Sequence, residues 1–441
     1  MFNVLPRTTS VFINKQVKRN DLNATYQQNL IETGSICLVT SGQPSANPRM
    51  VKEAKTLCAA GYRVTVIYCP ISAWAQPFDE KLFQEFPQIN WVSVGSHFRR
   101  QPLKYFYARL RRKWYWWTAK YLGAIMNIQE RALVLFSQEL STQACKVKAD
   151  LYIGHNLGAL PAVIKAAKKY NALSCFDFED YHRGEYHDRA FETTLVKAVE
   201  ERFAPKLSMA TTASPLITEA YKTLFPNINI QTINNCFPLA YAVTPMPQKS
   251  IFPLKLFWFS QHLGPNRGLE HVIAAMGLIP DAQIELTLLA SSSAELKNYF
   301  IELAKNAGLN SEQIKFMEPV NEQKIVAFAA SCHIGLALDP PLVENRERSL
   351  TNKIFMYLLA SNAIIYSNTK AHLRFLSEYG NNGFMVESGK IEALAEILKT
   401  YQSQPELLSE HQTKSMEIAQ KLNWENEKKK LLCLIKEALH A

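Results

Sequence analysis

The sequence carries no Cys-x-x-Cys pair and no histidine set at metal-ligand spacing among its eight cysteines and ten histidines. Zinc-ribbon and dithiol chemistry are therefore not expected, and no metal site is assigned. No run approaches the length of about 18 apolar residues that a membrane span needs, and Met1 to Asn20 has no uninterrupted apolar core of the kind a secretory leader uses. The Gly-x-Gly-x-x-Gly turn of dinucleotide-binding folds is also missing. The first strand runs instead into Ser41-Gly42-Gln43-Pro44-Ser45, which argues against a nicotinamide-dependent oxidoreductase. Disorder is excluded as a theme, because 47% of residues are hydrophobic and only 20% are charged.

What is present is a chain of 441 residues, too long for one hydrophobic core and of a length for two domains. The cysteines (Cys37, Cys58, Cys69, Cys145, Cys175, Cys236, Cys332 and Cys433) are scattered, mostly through apolar stretches, and read as reduced core residues of a cytoplasmic protein. Residues 1–34 are polar and aperiodic and read as an extension. From Ser35 short apolar runs such as Ile36-Cys37-Leu38-Val39-Thr40 alternate with segments of helical periodicity, such as Met50, Val51, Ala54, Leu57 and Cys58. That alternation predicts β-α-β units in a parallel sheet buried on both faces. The proline-rich stretch 241–253 interrupts the series, and a second series begins at Leu256-Phe257-Trp258-Phe259.

The chain is thus expected to be α/β, with two Rossmann-like lobes at 35–240 and 254–420 facing each other across a cleft. The final segment 421–441 is expected to form a helix that crosses back onto the first lobe, with Trp424, Leu431, Leu432, Ile435 and Leu439 on its apolar side. Ligands of such sheets sit at the carboxyl ends of the strands, which here means the cleft.

Two segments of the second lobe carry phosphate-binding features. Ser349-Leu350-Thr351-Asn352-Lys353-Ile354-Phe355 follows an apolar strand and a Pro340-Pro341 loop. Ser349 or Thr351 offers a capping oxygen at a helix start, with the Lys353 ammonium just inside it. A capped helix with a solvated lysine fits the same residues. After the first strand of this lobe, Ser260-Gln261-His262-Leu263-Gly264-Pro265-Asn266-Arg267-Gly268 brings Arg267 to the head of another helix.

These residues, in their order, resemble the retaining family-4 glycosyltransferases of GT-B fold, over nearly the whole chain after Ser35. Asn47-Pro48-Arg49 through Glu53-Ala54 looks like the family's first loop and helix. Asp150 to Asn156 resembles its central His-Asp segment, and Phe176-Asp177-Phe178-Glu179-Asp180-Tyr181-His182 is similar to its Asp-x-His-Glu strand end. Arg267-Gly268-Leu269 resembles the Lys-Gly-Leu turn, and Thr351-Asn352-Lys353-Ile354-Phe355 with Tyr357-Leu358 resembles the donor motif. The resemblance implies a nucleoside-diphosphate sugar as substrate, no separate cofactor, and transfer with retention to a glycan or lipid-linked acceptor. It implies Arg267 and Lys353 on the diphosphate, with Thr351, Asn352 and Gln261 beside them, and His155 and Asp177 as catalytic residues. Glu344 and Glu347 stand near the donor sugar or ribose; Asn47, Arg49, Glu179, Asp180 and His182 stand towards the acceptor.

Three positions depart from the pattern. Met356 and Arg348 stand where the donor motif has glutamates, and Gln261 stands where an arginine is usual. They keep a second expectation open, a GT-B-like protein that binds without turnover. The net charge of +10 gathers between Phe98 and Tyr121, where eight Lys and Arg interleave with aromatic rings. This stretch reads either as a contact for an anionic membrane at the inner face of the cell membrane or as an ordinary surface helix. No nucleic-acid-binding signature accompanies it.

Overall fold

The computed structural model describes residues 34–126, 128–243, 252–279 and 283–440. The expected extension, apart from Gly34, and most of the expected linker lie outside the described residues. The first sheet holds seven strands: β1 (Ser35–Thr40), β2 (Arg63–Tyr68), β3 (Asn90–Ser93), β4 (Leu151–His155), β5 (Leu173–Phe178), β6 (Met209–Thr212) and β7 (Asn229–Thr232). They are all parallel, in the order β3-β2-β1-β4-β5-β6-β7. The second holds β8 (Leu254–His262), β9 (Ile284–Ser291), β10 (Ile314–Met317), β11 (Ile334–Ala337), β12 (Ala363–Ser367) and β13 (Gly383–Val386), again parallel, in the order β10-β9-β8-β11-β12-β13.

The two-sided apolar character of the strands explains why both sheets are covered by helices. In β1, Ile36 and Leu38 enter one core while Cys37 and Val39 enter another on the opposite face. In β8, Leu254, Leu256 and Trp258 point to one side and Phe257 to the other. Each sheet reverses its winding once, between β1 and β4 and between β8 and β11. The loops that leave those four strands at their carboxyl ends are therefore the topological switch points where a ligand can be cradled.

The last helix, Trp424–His440, belongs by sequence to the second half but packs into the first. Trp424, Leu431, Leu434 and Ile435 share a core with Ile36, Leu38, Met50, Ala54 and Leu57. The Trp424 indole also donates to Thr56 Oγ1 at 3.0 Å. Leu434 joins the apolar face expected from sequence, while Leu432 and Leu439 are only partly buried.

Between β3 and β4 lie three helices, Pro102–Met126, Gln129–Leu133 and Ser137–Ala144. The chain breaks helix geometry at Val134, which is extended, and the first helix is held on the second by Arg112 Nε donating to the Ala132 carbonyl at 3.1 Å. The cysteines are all free, but not all are core residues: Cys58 and Cys145 are half-buried and Cys433 is exposed.

Candidate functional site

In the first lobe the helix Pro48–Ala59 starts directly after the β1 loop, with Asn47 Oδ1 accepting from Met50 N at 3.0 Å. That cap turns Arg49 and Glu53, one helical turn apart, towards the carboxyl ends of β4 and β5. His155 ends β4 and pairs in register with Asp177, the last residue but one of β5. Arg49 grips Asp177 through Nε (2.6 Å to Oδ2) and Nη2 (2.7 Å to Oδ1). Its remaining donors reach the carbonyls of Ile233 (2.7 Å) and Thr212 (3.4 Å), and Thr211 Oγ1 donates to Asp177 Oδ1 at 2.6 Å. His155 Nε2 lies 2.8 Å from Glu53 Oε2 and its Nδ1 3.4 Å from Asp177 Oδ2. Neither ring nitrogen is aligned for a hydrogen bond, so these are ionic contacts.

All four side chains are buried. Burial alone would lower the pKa of His155, yet the Glu53 and Asp177 carboxylates overcome it and lift it to about 9. Burial would likewise raise Asp177, but the Arg49 guanidinium holds it well below the usual carboxylate range. Asp177 therefore stays ionised at neutral pH beside the Arg49 guanidinium and the His155 imidazolium. Arg49, expected at an acceptor, has its guanidinium committed to Asp177 and backbone carbonyls. Asp177, expected to be catalytic, has both oxygens occupied by Arg49 and Thr211. Asn47 spends its Oδ1 on the helix start.

The loop after β5 carries the remaining first-lobe candidates. Burial pushes the Glu179 carboxyl up to about 7, against the pull of Arg49, and Glu179 Oε1 accepts from Asn235 Nδ2 at 3.2 Å. Lys52 donates to Asn235 Oδ1 at 3.0 Å and to the Cys236 carbonyl; burial lowers its pKa to about 8. Asp180 accepts from Asn345 Nδ2 at 2.9 Å, while Tyr181 N donates to Asn345 Oδ1 at 2.8 Å. His182 is not at an open surface. Its ring lies beside Phe176 and Phe178, with Nδ1 2.5 Å from Glu185 Oε1.

Asn345 belongs to the short helix Glu344–Arg348 of the second lobe, so the loops that follow β5 and β11 touch across the cleft. Ser214 Oγ donating to the Arg348 carbonyl at 2.6 Å adds a second bridge.

In the second lobe, Gly268 sits at a helix start with φ of 78°, and a Cβ there would come within 3.1 Å of Leu338, so glycine is required. Arg267 beside it is half-buried. Asp339, next to Leu338, meets Lys353 Nζ at 3.3 and 3.4 Å. Arg267 precedes the glycine that packs on Leu338, and Lys353 meets the adjoining Asp339. Beside Gly268 a recess of about 20 Å³ is lined also by His271, Pro340, Ser367 and Lys390, and neither Arg267 nor Lys353 lines it.

The helix Asn352–Leu359 starts at Thr351, whose hydroxyl does not cap it but accepts from Lys353 Nζ at 3.4 Å; Ser349 Oγ is turned to Asn345. The first backbone N–H groups of this helix are left without a side-chain cap. Asn352 and Gln261 are exposed, Glu344 is tied to Arg348 at 2.7 Å, and Glu347 accepts from Lys370 N at 2.9 Å. Met356 is packed in the core.

A cavity of about 770 Å³ lies at the edge of the cleft between helix Pro48–Ala59, the last helix and the Asn321–Glu322 turn, and Lys52, Lys55, Lys81 and Lys428 line it. Sequence reasoning assigned no role to Glu53, Asp339 or Asn345. Glu53 was legible in principle, four residues after Arg49 on a helix entering the sheet, whereas Asp339 and Asn345 act through tertiary contacts alone. Among the described residues no group of three or more His, Cys, Asp or Glu is arranged to hold a metal ion.

No family model and no curated protein sequence matches the chain. Solved structures do match it in shape. Anabaena HepE in complex with UDP-glucose superimposes with a TM-score of 0.65 at 14% identity, covering 92% of this chain and 100% of that one. Sucrose-phosphate synthase from Thermosynechococcus elongatus gives 0.66 at 14%, covering 91% and 98%. An S. aureus TarM variant in complex with fondaparinux, α-GlcNAc-glycerol and UDP gives 0.66 at 10%, covering 93% and 100%. At such identities the likeness establishes the fold: two facing Rossmann-like lobes of GT-B type.

Proposed function

We propose that this chain transfers a sugar from a nucleoside-diphosphate sugar, held mainly by the second lobe, to a glycan or lipid-linked acceptor that approaches over the first. The observation that carries this reading is the meeting of two sets of strand carboxyl ends, joined by Asn345 on Asp180 and Tyr181. An uncapped helix start and two cations lie on the second-lobe side of that junction. HepE and TarM, which share the fold, were solved with UDP or UDP-glucose in place.

The diphosphate would take the free N–H groups at Asn352, the Lys353 ammonium and the Arg267 guanidinium. These fixed charges oppose the negative charge that grows on the leaving group as the glycosidic bond breaks. Lys353 exchanges Asp339 for phosphate in doing so. In this reading His155, a buried imidazolium whose Nε2 and Nδ1 face Glu53 and Asp177, supports the cleft from beneath with fixed positive charge. Glu179, with a pKa near neutrality, is placed to pass a proton at the acceptor side. Retention of configuration, a metal-free mechanism without a separate cofactor, and a place in polysaccharide or glycolipid assembly at the cytoplasmic side belong to the same reading.

A second reading, a GT-B-like binding protein without turnover, draws on Met356 in the core and on Asp339 occupying Lys353. Calorimetry with UDP-, GDP- and ADP-sugars, followed by a donor-hydrolysis assay, separates the two. Tight binding with slow hydrolysis supports transfer, and no heat from any nucleotide sugar supports the second reading, in which the chain binds a partner or glycan without turnover.

A further inference from the structure

The helix Pro102–Met126 carries a row of apolar and aromatic residues that the fold leaves uncovered. Leu103, Tyr107, Leu110, Trp114, Trp117 and Tyr121 recur at alternating steps of four and three, which keeps them on one face for roughly 27 Å of helix. They are 85%, 64%, 68%, 57%, 47% and 67% exposed, and Phe98 and Phe106 stand beside the row. The helix is anchored by its other side. Ala108 and Ala119 are buried, Arg111 pairs with Glu139 at 2.7 Å, and Trp116 meets the Phe191 ring edge-on at 5.0 Å. Among the described residues nothing covers the exposed row.

Its charge identifies what covers it. Arg99, Arg100, Lys104, Arg109, Arg111, Arg112, Lys113 and Lys120 accompany the row, and no Asp or Glu occurs between Glu85 and Glu130. Among the described residues only Arg111 of these eight meets a carboxylate. A second copy of the same helix would bring cation against cation, although the four-three spacing alone would suit a paired helix. Among the described residues no helix is long and apolar enough to cross a membrane.

We infer that this face docks in the headgroup layer of an anionic lipid leaflet, with the indole and phenol rings at the acyl boundary and the cations on lipid phosphates. The surface lies next to the acceptor side. Phe191, on which Trp116 packs, begins the helix that follows the Glu179–His182 loop. Lipid binding itself does not depend on the transfer reading; delivery of a lipid-linked acceptor to that loop does.

Co-sedimentation of the full chain with vesicles tests the docking. Retention on phosphatidylcholine vesicles containing phosphatidylglycerol is expected to exceed retention on phosphatidylcholine alone by about tenfold or more, and to fall with added salt. Trp114→Ser with Trp117→Ser, and separately Arg109→Gln with Lys113→Gln, should each cut retention by roughly tenfold while leaving donor hydrolysis and the unfolding temperature at wild-type values. Equal retention on neutral vesicles, or wild-type retention by both double variants, overturns the inference. A vesicle-independent dimer that the Trp variant abolishes also overturns it, in favour of a second copy. Absence of donor hydrolysis by the wild-type chain, with vesicle binding intact, would count against the transfer reading alone.

Discussion

The two lobes share a strand order at their switch points but treat charge in opposite ways. In the first, Arg49, Glu53, His155 and Asp177 are buried and neutralise one another within a helix turn and two strand ends. In the second, Arg267 is half-buried with no ion pair among the described residues, and Lys353 meets Asp339 only at 3.3 Å or more. A closed cluster of that kind is scaffold, because desolvated charges are tolerated only while every partner stays in place. Loosely held cations at an uncapped helix start are suited to an anion that arrives and leaves. On the proposed reading, the first lobe is arranged in advance and the second is completed by its ligand.

The contrast can be broken most sharply in the first lobe. Asp177→Ala strands a buried guanidinium and should destabilise the protein by about 3–5 kcal/mol, read as a fall in the urea midpoint; an unchanged midpoint would mean the cluster is not structural. In the second lobe, Lys353→Ala should lower donor hydrolysis by about 100- to 1000-fold with an unfolding temperature close to wild type, and a variant that keeps full turnover with every donor removes Lys353 from the diphosphate site.

Titration sharpens the comparison at the next level. Because folding raises His155 from its ordinary value to about 9, its stabilising contribution is complete below about 6.5 and is lost as pH climbs through 9. Glu179, raised to about 7, gives up its contribution as pH climbs from about 4.5 through 7. Chemical denaturation across pH 5 to 10 should therefore show stability declining upwards, with His155→Gln flattening the alkaline limb and Glu179→Gln the neutral one; parallel curves for wild type and variants would refute the assignment. The smallest effect is expected for Asp339→Asn, which frees Lys353 and should tighten nucleotide-sugar binding by about 2- to 5-fold in calorimetry, within the worth of a partly exposed pair.

Much of the architecture was legible because a strand buried on both faces leaves a short apolar run, as at Ile36 to Val39, and each helix that covers it leaves its own period. The order of those runs sufficed for two parallel sheets, and the apolar side of Trp424 to Leu439 for a returning helix. The site was legible only as a set of residues. His155 and Asp177 announce themselves at strand ends, but that Arg49 would be consumed by Asp177 follows from a contact between positions far apart in the chain. Asp339 is a single acidic residue before two prolines, and nothing local says that it faces Lys353. Thr351 had the right residue type for a cap, yet the ammonium two residues on competes for its hydroxyl.

The returning helix also fixes when the molecule can fold. During synthesis Met50, Ala54 and Leu57 leave the ribosome long before Trp424, Leu431, Leu434 and Ile435, which complete their core. The earlier half must therefore wait with an apolar surface uncovered until the whole later half has been translated. Residues 424–435 thus act as a clasp on the core that Ile36 and Leu38 begin.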